Sequence, residues 1–406
     1  MFEQLFRNAA LIADYKTAPY AEDHKHFLEH LAKHGYAKGT LRQKARVLLH
    51  IAHISNVNQV DILTAARRCA EHATSEKFNR LIVSTAKQWL QYLGRLKEPI
   101  LNPSPFDAAI NDFANWMERE RGLSPATIQS RRWQTGLFLN WFGHTGKSLT
   151  SMSLADVDAF QTACAAKGLS RWSIRNRLNA IRCFLRYAGS RKWCSSSIAQ
   201  GIEGPPIYAQ ENIALGPSWD DIKRLISSLD TKDPSDIRDR AIIMLFAIYG
   251  LRASEVVHIR LQDIDWDHDQ IVITRSKLRQ VQRYPLVSAV GQAIVRYVKE
   301  VRPKSQYREL FLTMLAPRTP VTCSCLYGIV LRRAKQLGIC FPQHRGPHAL
   351  RHACAGHLLT KGLTLKEIGD HLGHRSAKTT RIYAKVDLIG LREVASFDLG
   401  EVCYEI

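Results

Sequence analysis

Two arginines, two histidines, a lysine and a tyrosine in the last 160 or so residues of this 406-residue chain stand at spacings that suit chemistry on a phosphate. His348-Ala-Leu-Arg351 sets an imidazole and a guanidinium three residues apart, on one face of a helix. In Leu372-Gly373-His374 the glycine can turn the chain and present His374 from a loop, and nine residues on Thr379-Thr-Arg-Ile-Tyr383 supplies a phenol. Upstream, Gly250-Leu-Arg252-Ala-Ser-Glu255 offers a second arginine just past a helix-ending glycine, and Lys277 falls in the turn of an expected hairpin. A phosphodiester under attack gathers charge on its non-bridging oxygens, which two guanidiniums can hold by paired, charge-assisted hydrogen bonds. Arginine suits that task because its fork matches phosphate and it keeps its proton. The nucleophile must lose a proton and the leaving oxygen must gain one, which asks for histidine and lysine. Tyrosine ordinarily titrates near 10, so its attack at neutral pH needs a cationic pocket or a nearby base. The set suits phosphoryl transfer without a metal ion.

Positioning these groups is the work of a C-terminal region that reads as helices around a small sheet. Ser218-Trp-Asp-Asp221 looks like a helix start, and 236–249 is a strongly apolar helix that Gly250 can close in the left-handed conformation. Gln270–Arg275 and Arg283–Val287 read as the two strands of the hairpin. Helices are expected near 289–301, 323–337, 347–360, 364–372 and 377–385, with Thr364-Leu-Lys-Glu367 in capping-box form. Before residue 218 the pattern is almost wholly helical, broken by proline-rich stretches at Leu96–Phe106 and Glu203–Pro217. The expected fold class is therefore mainly α with a small β-sheet. Its expected parts are a helical N-terminal extension (1–106), a second helical domain (107–203), a linker (204–217) and an α+β domain with a C-terminal tail (218–406) that carries the phosphate chemistry. Gly35-Tyr-Ala-Lys-Gly-Thr40-Leu41 has a counterpart in Gly122-Leu-Ser-Pro-Ala-Thr127-Ile128. Degenerate duplication of one helical domain and chance likeness of two amphipathic segments both account for it.

The formal net charge is +20, spread as excesses of +6, +5 and +9 over 1–106, 107–217 and 218–406. No single tail holds it, and nucleic acid is the default partner of so basic a chain. From Arg171 to Lys192 there are seven basic residues and no acidic one; Arg171, Arg175, Arg182 and Arg186 fall along one side of a helix whose other side carries Leu178, Ile181 and Leu185. The nine cysteines are scattered without a Cys-x-x-Cys pair, which argues against a zinc ribbon or a disulfide framework and fits a reducing cytosol. The longest apolar run, within Arg240–Arg252, spans about 11 residues and reads as a buried helix, so a soluble, intracellular protein is expected, with no membrane partner. Histidines 344, 348, 352, 357, 371 and 374 raise the thought of a metal hydrolase, yet no acidic ligand stands among them at His-Glu-x-x-His spacing. His352 and His357 are expected to pack or cap.

In order and spacing, Arg252…Lys277…His348-x-x-Arg351…Leu-Gly-His374…Tyr383 resembles the signature of the tyrosine recombinases, the phage integrase family. The catalytic likeness covers about 218–390, and 107–203 is similar to that family's helical core-binding domain. What the resemblance implies is a site-specific DNA recombinase or integrase of a phage or mobile element. Tyr383 would attack the scissile phosphate, leaving a 3′-phosphotyrosyl enzyme and a free 5′-hydroxyl. Arg252, Arg351 and His374 would stabilise the transition state, His348 would accept the phenolic proton, Lys277 would serve the departing oxygen, and Glu255 would support the network. It implies no cofactor, metal or ATP, double-stranded DNA with specific sites as partner, a tetramer on paired sites, accessory recombinases, and a cytoplasmic place at the nucleoid. The segment from Ala384 to Ile406 either docks on a neighbouring subunit or packs on its own domain. Two other readings stay open: an accessory DNA-binding protein with a decayed catalytic set, and a type IB topoisomerase-like relaxing enzyme.

Overall fold

The fold is that of a computed structural model, which describes residues 1–54, 75–96, 104–207, 216–275, 280–341, 345–374, 380 and 382–383. Lys277, the C-terminal tail and most of the helix expected at 377–385 lie outside the described residues. Compactness divides the chain into two units, 97–211 on the one hand and 1–96 with 212–406 on the other.

In the first 96 residues five helices are described: α1 (Phe2–Leu5), α2 (Ala9–Thr17), α3 (Ala21–Lys33), α4 (Lys38–Ile54) and α5 (Glu76–Tyr92). They enclose a core of Phe2, Tyr15, Phe27, Leu28, Val47, Leu48, Ile82 and Trp89. His24 is fully buried in that packing with its ring against Trp89, centroids 4.5 Å apart.

The unit 97–211 holds α6 (Asp107–Arg119), α7 (Pro125–Gly143), α8 (Leu154–Ala166), α9 (Arg171–Ser190) and α10 (Ile198–Gly201) around Phe113, Phe138, Phe142, Val157, Ile181, Phe184 and Leu185. Ser124 and Ser170 stand at the N-caps of α7 and α9, each accepting from a backbone N–H that has no partner within the helix, and at the start of α8 Asp156 Oδ2 accepts from the backbone N–H and the hydroxyl of Ser153. α3 and α6 are each 13 residues long and each is followed by a left-handed glycine, Gly35 and Gly122, before a longer helix. The matched sequence segments thus occupy matched local structure.

From residue 216 onward the elements are α11 (Trp219–Ser227), α12 (Pro234–Tyr249), α13 (Ala253–Val256), β1 (Ile264–Asp265), β2 (Gln270–Arg275), β3 (Gln280–Pro285), α14 (Ser288–Arg296), α15 (Cys323–Gln336), α16 (Pro347–Thr360) and α17 (Leu365–Leu372). α12 is apolar nearly all round and is therefore buried, with Ile242, Ile243, Leu245 and Phe246 at the centre of the core. It starts where Asp233 accepts from the backbone N–H of Ser235 and Asp236, and it stops at Gly250, whose φ of +58° suits glycine. The sheet is antiparallel in the order β1-β2-β3, with Ile271 opposite Tyr284 and Arg275 opposite Gln280.

Two boundaries correct the sequence reading. The second hairpin strand runs 280–285 rather than 283–287, because pairing in register with all of β2 carries it back to Gln280. The two-residue β1 was not expected at all; so short a strand leaves no alternation to detect. α16 and α17 fall where they were placed, and Thr364 and Glu367 form the anticipated capping box.

Candidate active site

α17 ends at Gly373, which adopts φ +63°, and the last carbonyls of a helix have no partner within it. Here side-chain donors take them one after another. Gln282 Nε2 donates to Asp370 O at 2.9 Å, Arg275 Nη2 to His371 O at 3.2 Å, Arg351 Nη2 to Leu372 O at 2.8 Å and Arg252 Nη2 to Gly373 O at 3.3 Å. Three guanidiniums thus gather at the negative end of one helix. A Cβ at residue 373 would lie 2.2 Å from Arg275 Nε, so only glycine allows the gathering. Arg351 also donates to Gly250 O, which ties the end of α12 to the same point.

Three cations at close quarters repel, and Glu255 offsets this. Its Oε1 accepts from Arg252 Nη1 at 2.8 Å and from Arg275 Nη1 at 3.0 Å, while its Oε2 accepts from the Arg252 backbone N–H at 2.8 Å. The carboxylate is buried, so loss of its charge would leave buried guanidiniums without a counterion. Burial, and then Arg252, pull Arg351 down to about 10, so it is still a cation at neutral pH.

Tyr383 is buried in a small apolar cluster with Cys354, Ala355, Ile368 and Leu372. Burial pushes its phenol up to about 12, against the opposing pull of Arg351 and Arg252. Its Oη lies 2.9 Å from Nδ1 of His352. His348, expected to be the proton acceptor, is exposed on the first turn of α16, four residues before His352. His374 follows Gly373 as expected, and its Nδ1 lies 2.8 Å from Thr380 Oγ1. Burial and then Arg351, Arg252 and Arg275 bring His374 down to about 4. His344 lies outside the described residues; of the other histidines, His357 stacks on Trp219 with ring centroids 3.8 Å apart, and His371 Nε2 is 3.2 Å from Ile248 O.

Sequence reasoning missed Arg275, Tyr284, His352 and Thr380. Arg275 had a detectable signal, since it continues the inward alternation Ile271, Ile273, Arg275 of β2, and a charge at an inward strand position asks for a buried partner. It finds Glu255, Gln282 at 2.7 Å and the Tyr284 hydroxyl. Of the stripe on α9, Arg171, Arg175 and Arg186 are exposed, whereas Arg182 is half-buried and donates to Asn179 Oδ1 at 2.8 Å and Ile202 O at 2.6 Å.

The low values of His374 and of buried His24, also about 4, have a consequence for stability. Between pH 6.5 and 4 the unfolded chain protonates both rings and the folded chain neither, so stability falls as pH drops through that window. The slope is at most about 1.4 kcal/mol per pH unit for the buried His24 ring and less for the partly exposed His374. Urea unfolding at pH 7.5, 6 and 5 should show the loss, and His24→Phe should reduce it; a midpoint unchanged down to pH 5 contradicts both assignments.

Compared with known proteins, residues 218–388 match the phage integrase family and residues 110–192 the N-terminal SAM-like domain of phage integrases. The integrase/recombinase y4rA of Sinorhizobium fredii is 38% identical over 299 residues, 72% of this chain and 71% of the relative. The chain belongs to the tyrosine recombinase (phage integrase) family. Tyrosine recombinase XerC of Salmonella typhi is 30% identical over 295 residues, covering 70% of this chain and 93% of XerC. In fold this recombinase resembles the XerH site-specific recombinase bound to difH (TM-score 0.54, 18% identity, 87% of this chain and 96% of that one) and the Tn1549 transposon integrase (TM-score 0.53, 18% identity, 71% and 99%). As a member of the family it is an enzyme of site-specific DNA recombination. No helix among the described residues is long and apolar enough to cross a membrane.

Proposed function

We propose that this recombinase breaks and rejoins DNA at a specific site of a mobile element or phage through Tyr383. The phenolic oxygen bonds to the scissile phosphorus as the bond to the 5′-oxygen breaks, leaving a 3′-phosphotyrosyl enzyme. The phenolic proton passes to His348, and Lys277 gives one to the departing 5′-oxygen. Arg252, Arg351 and His374 hold the non-bridging oxygens, and Glu255 keeps the arginines in place. Because the phosphotyrosine conserves the bond's energy, a second 5′-hydroxyl reverses the step without ATP, metal or another cofactor. What supports this reading is the gathering of Arg252 and Arg351 on the end of α17 that His374 follows, with the buried Tyr383 packed against Leu372 of the same helix. The same reading assigns 107–203 to DNA binding, 218–406 to catalysis and 1–106 to a further helical arm. It also places a tetramer on paired sites, with accessory recombinases, at the nucleoid in the cytoplasm.

The test is a nicked suicide duplex carrying a site selected from random DNA by the purified protein, incubated in EDTA. A covalent adduct supports the proposal, and no adduct on any selected site favours an accessory DNA-binding role.

The arginine stripe gives a second test. Arg175→Ala should weaken binding and reduce the slope of log K against log salt by about one. Arg182→Ala should instead lower the melting temperature, since its guanidinium bonds within the domain. Equal effects of the two on the salt slope would contradict the distinction.

A further inference from the structure

Arg275 ends the inward row Ile271, Ile273, Arg275 of β2, where a third apolar residue would pack without the cost of burying a cation. Its guanidinium is spread over partners from three elements. Nε donates to Gln282 Oε1 of β3 at 2.7 Å, and Nη1 to Glu255 Oε1 of α13 at 3.0 Å. Nη2 donates to the Tyr284 hydroxyl of β3 and, at 3.2 Å, to His371 O of α17. Tyr284 in turn donates its hydroxyl hydrogen to His371 O, and Gln282 Nε2 donates to Asp370 O at 2.9 Å, so β3 and α17 close around one cation. Burial pushes the Tyr284 phenol up to about 12, which keeps that hydroxyl a donor at neutral pH. Glu255 Oε1 is the atom on which Arg275 and Arg252 meet. The Arg252 side chain is 22% exposed and that of Arg275 2%, so of the two only Arg252 can reach a phosphate.

We propose that Arg275 is a positioning residue for strand cleavage: it shares Glu255 with Arg252 and grips the end of α17, and so fixes the Arg252 guanidinium where the scissile phosphate is held. This rests on the reading that Arg252 serves that phosphate. Without Arg275 the buried carboxylate has one guanidinium on Oε1 where it had two, so it draws Arg252 inward and away from the phosphate. The hold on His371 O and, through Gln282, on Asp370 O slackens as well, and the Gly373 carbonyl to which Arg252 donates stands two residues beyond His371. A displacement of about 1 Å at either anchor is enough to cost about 100-fold in rate, since the charge that develops in the transition state needs its donor in one place.

The experiment measures single-turnover adduct formation, at saturating full-length protein, on two forms of the suicide duplex. One carries the natural scissile phosphate; the other carries a methylphosphonate, in which a methyl group replaces a charged non-bridging oxygen. The neutral phosphonate gathers less negative charge under attack, so it depends less on Arg252. Arg275→Met should form adduct on the natural duplex more slowly than the parent by about 30-fold or more, with unchanged DNA affinity. On the methylphosphonate the deficit should shrink to about threefold or less. Arg275→Lys keeps the charge but cannot reach Gln282, Glu255 and His371 O together, so it should recover little of the rate. Melting curves confirm that each variant is folded. Should Arg275→Met not fold, Tyr284→Phe, which loses one hydroxyl, carries the same comparison with a smaller deficit that likewise shrinks on the methylphosphonate. Equal deficits on the two duplexes would overturn the proposal, because Arg275 would then act on something other than the hold on phosphate charge. A parental rate in Arg275→Met overturns it too, and so does one in Arg275→Lys, where charge without the fork would have sufficed. A parent that forms no adduct at all would refute the underlying recombinase chemistry, an outcome distinct from failure of the role given to Arg275.

Discussion

Tyr383→Phe should bind its DNA site as tightly as the parent and form no covalent adduct. The change removes one oxygen and leaves the ring, so the packing against Cys354, Ile368 and Leu372 survives. It also removes the bond to His352 Nδ1, a loss of about 1 kcal/mol of folding stability, too little to unfold the chain. What disappears is the only atom that can bond to phosphorus in the proposed step, so the loss in cleavage is complete. Gel shift and denaturing electrophoresis on the same suicide duplex separate the two properties. Residual adduct from the phenylalanine variant would mean that another side chain is the nucleophile.

Arg351→Ala should lower single-turnover cleavage by more than about 100-fold, the usual effect of removing one donor from a site where negative charge develops. Its affinity for DNA should stay within about threefold of the parent, because a phosphate contact carries about one counterion's share among many. The variant will also be less stable, since Gly250 O and Leu372 O both lose their donor in a buried setting. Arg351→Lys separates charge from geometry: an ammonium restores the cation but cannot span both carbonyls and a phosphate as the guanidinium fork does. It should recover stability and little of the rate. Parallel loss of binding and cleavage in Arg351→Ala would assign the residue to DNA affinity and not to the transition state.

The parts of this site that were legible in the sequence are those whose signals are local. Capping at Thr364 and Glu367, the glycine stop at Gly250 and the apolar run of α12 each act within a few residues, and each element formed where those signals put it. Arg252, His348, Arg351 and His374 could be placed in the same way, because each lies just beyond or within such an element. What escaped depends on partners far apart in the chain. Arg275 reaches Glu255 across 20 residues and the end of α17 across 96, and no periodicity encodes that meeting. His352 sits beside Arg351 in sequence and looked like packing, but the fold of α16 turns it toward a phenol 31 residues away. The partners of Arg182 escaped for a related reason: its place on the basic side of α9 is local information, while Ile202, which takes its guanidinium, lies past the end of that helix.

The most direct measurement is the chemical identity of the trapped linkage. Adduct formed on a suicide duplex, digested with protease and nuclease and sequenced by mass spectrometry, should show a nucleotide joined through its 3′-phosphate to the peptide containing Tyr383 and to no other. A linkage at another residue, or through a 5′-phosphate, would contradict the account.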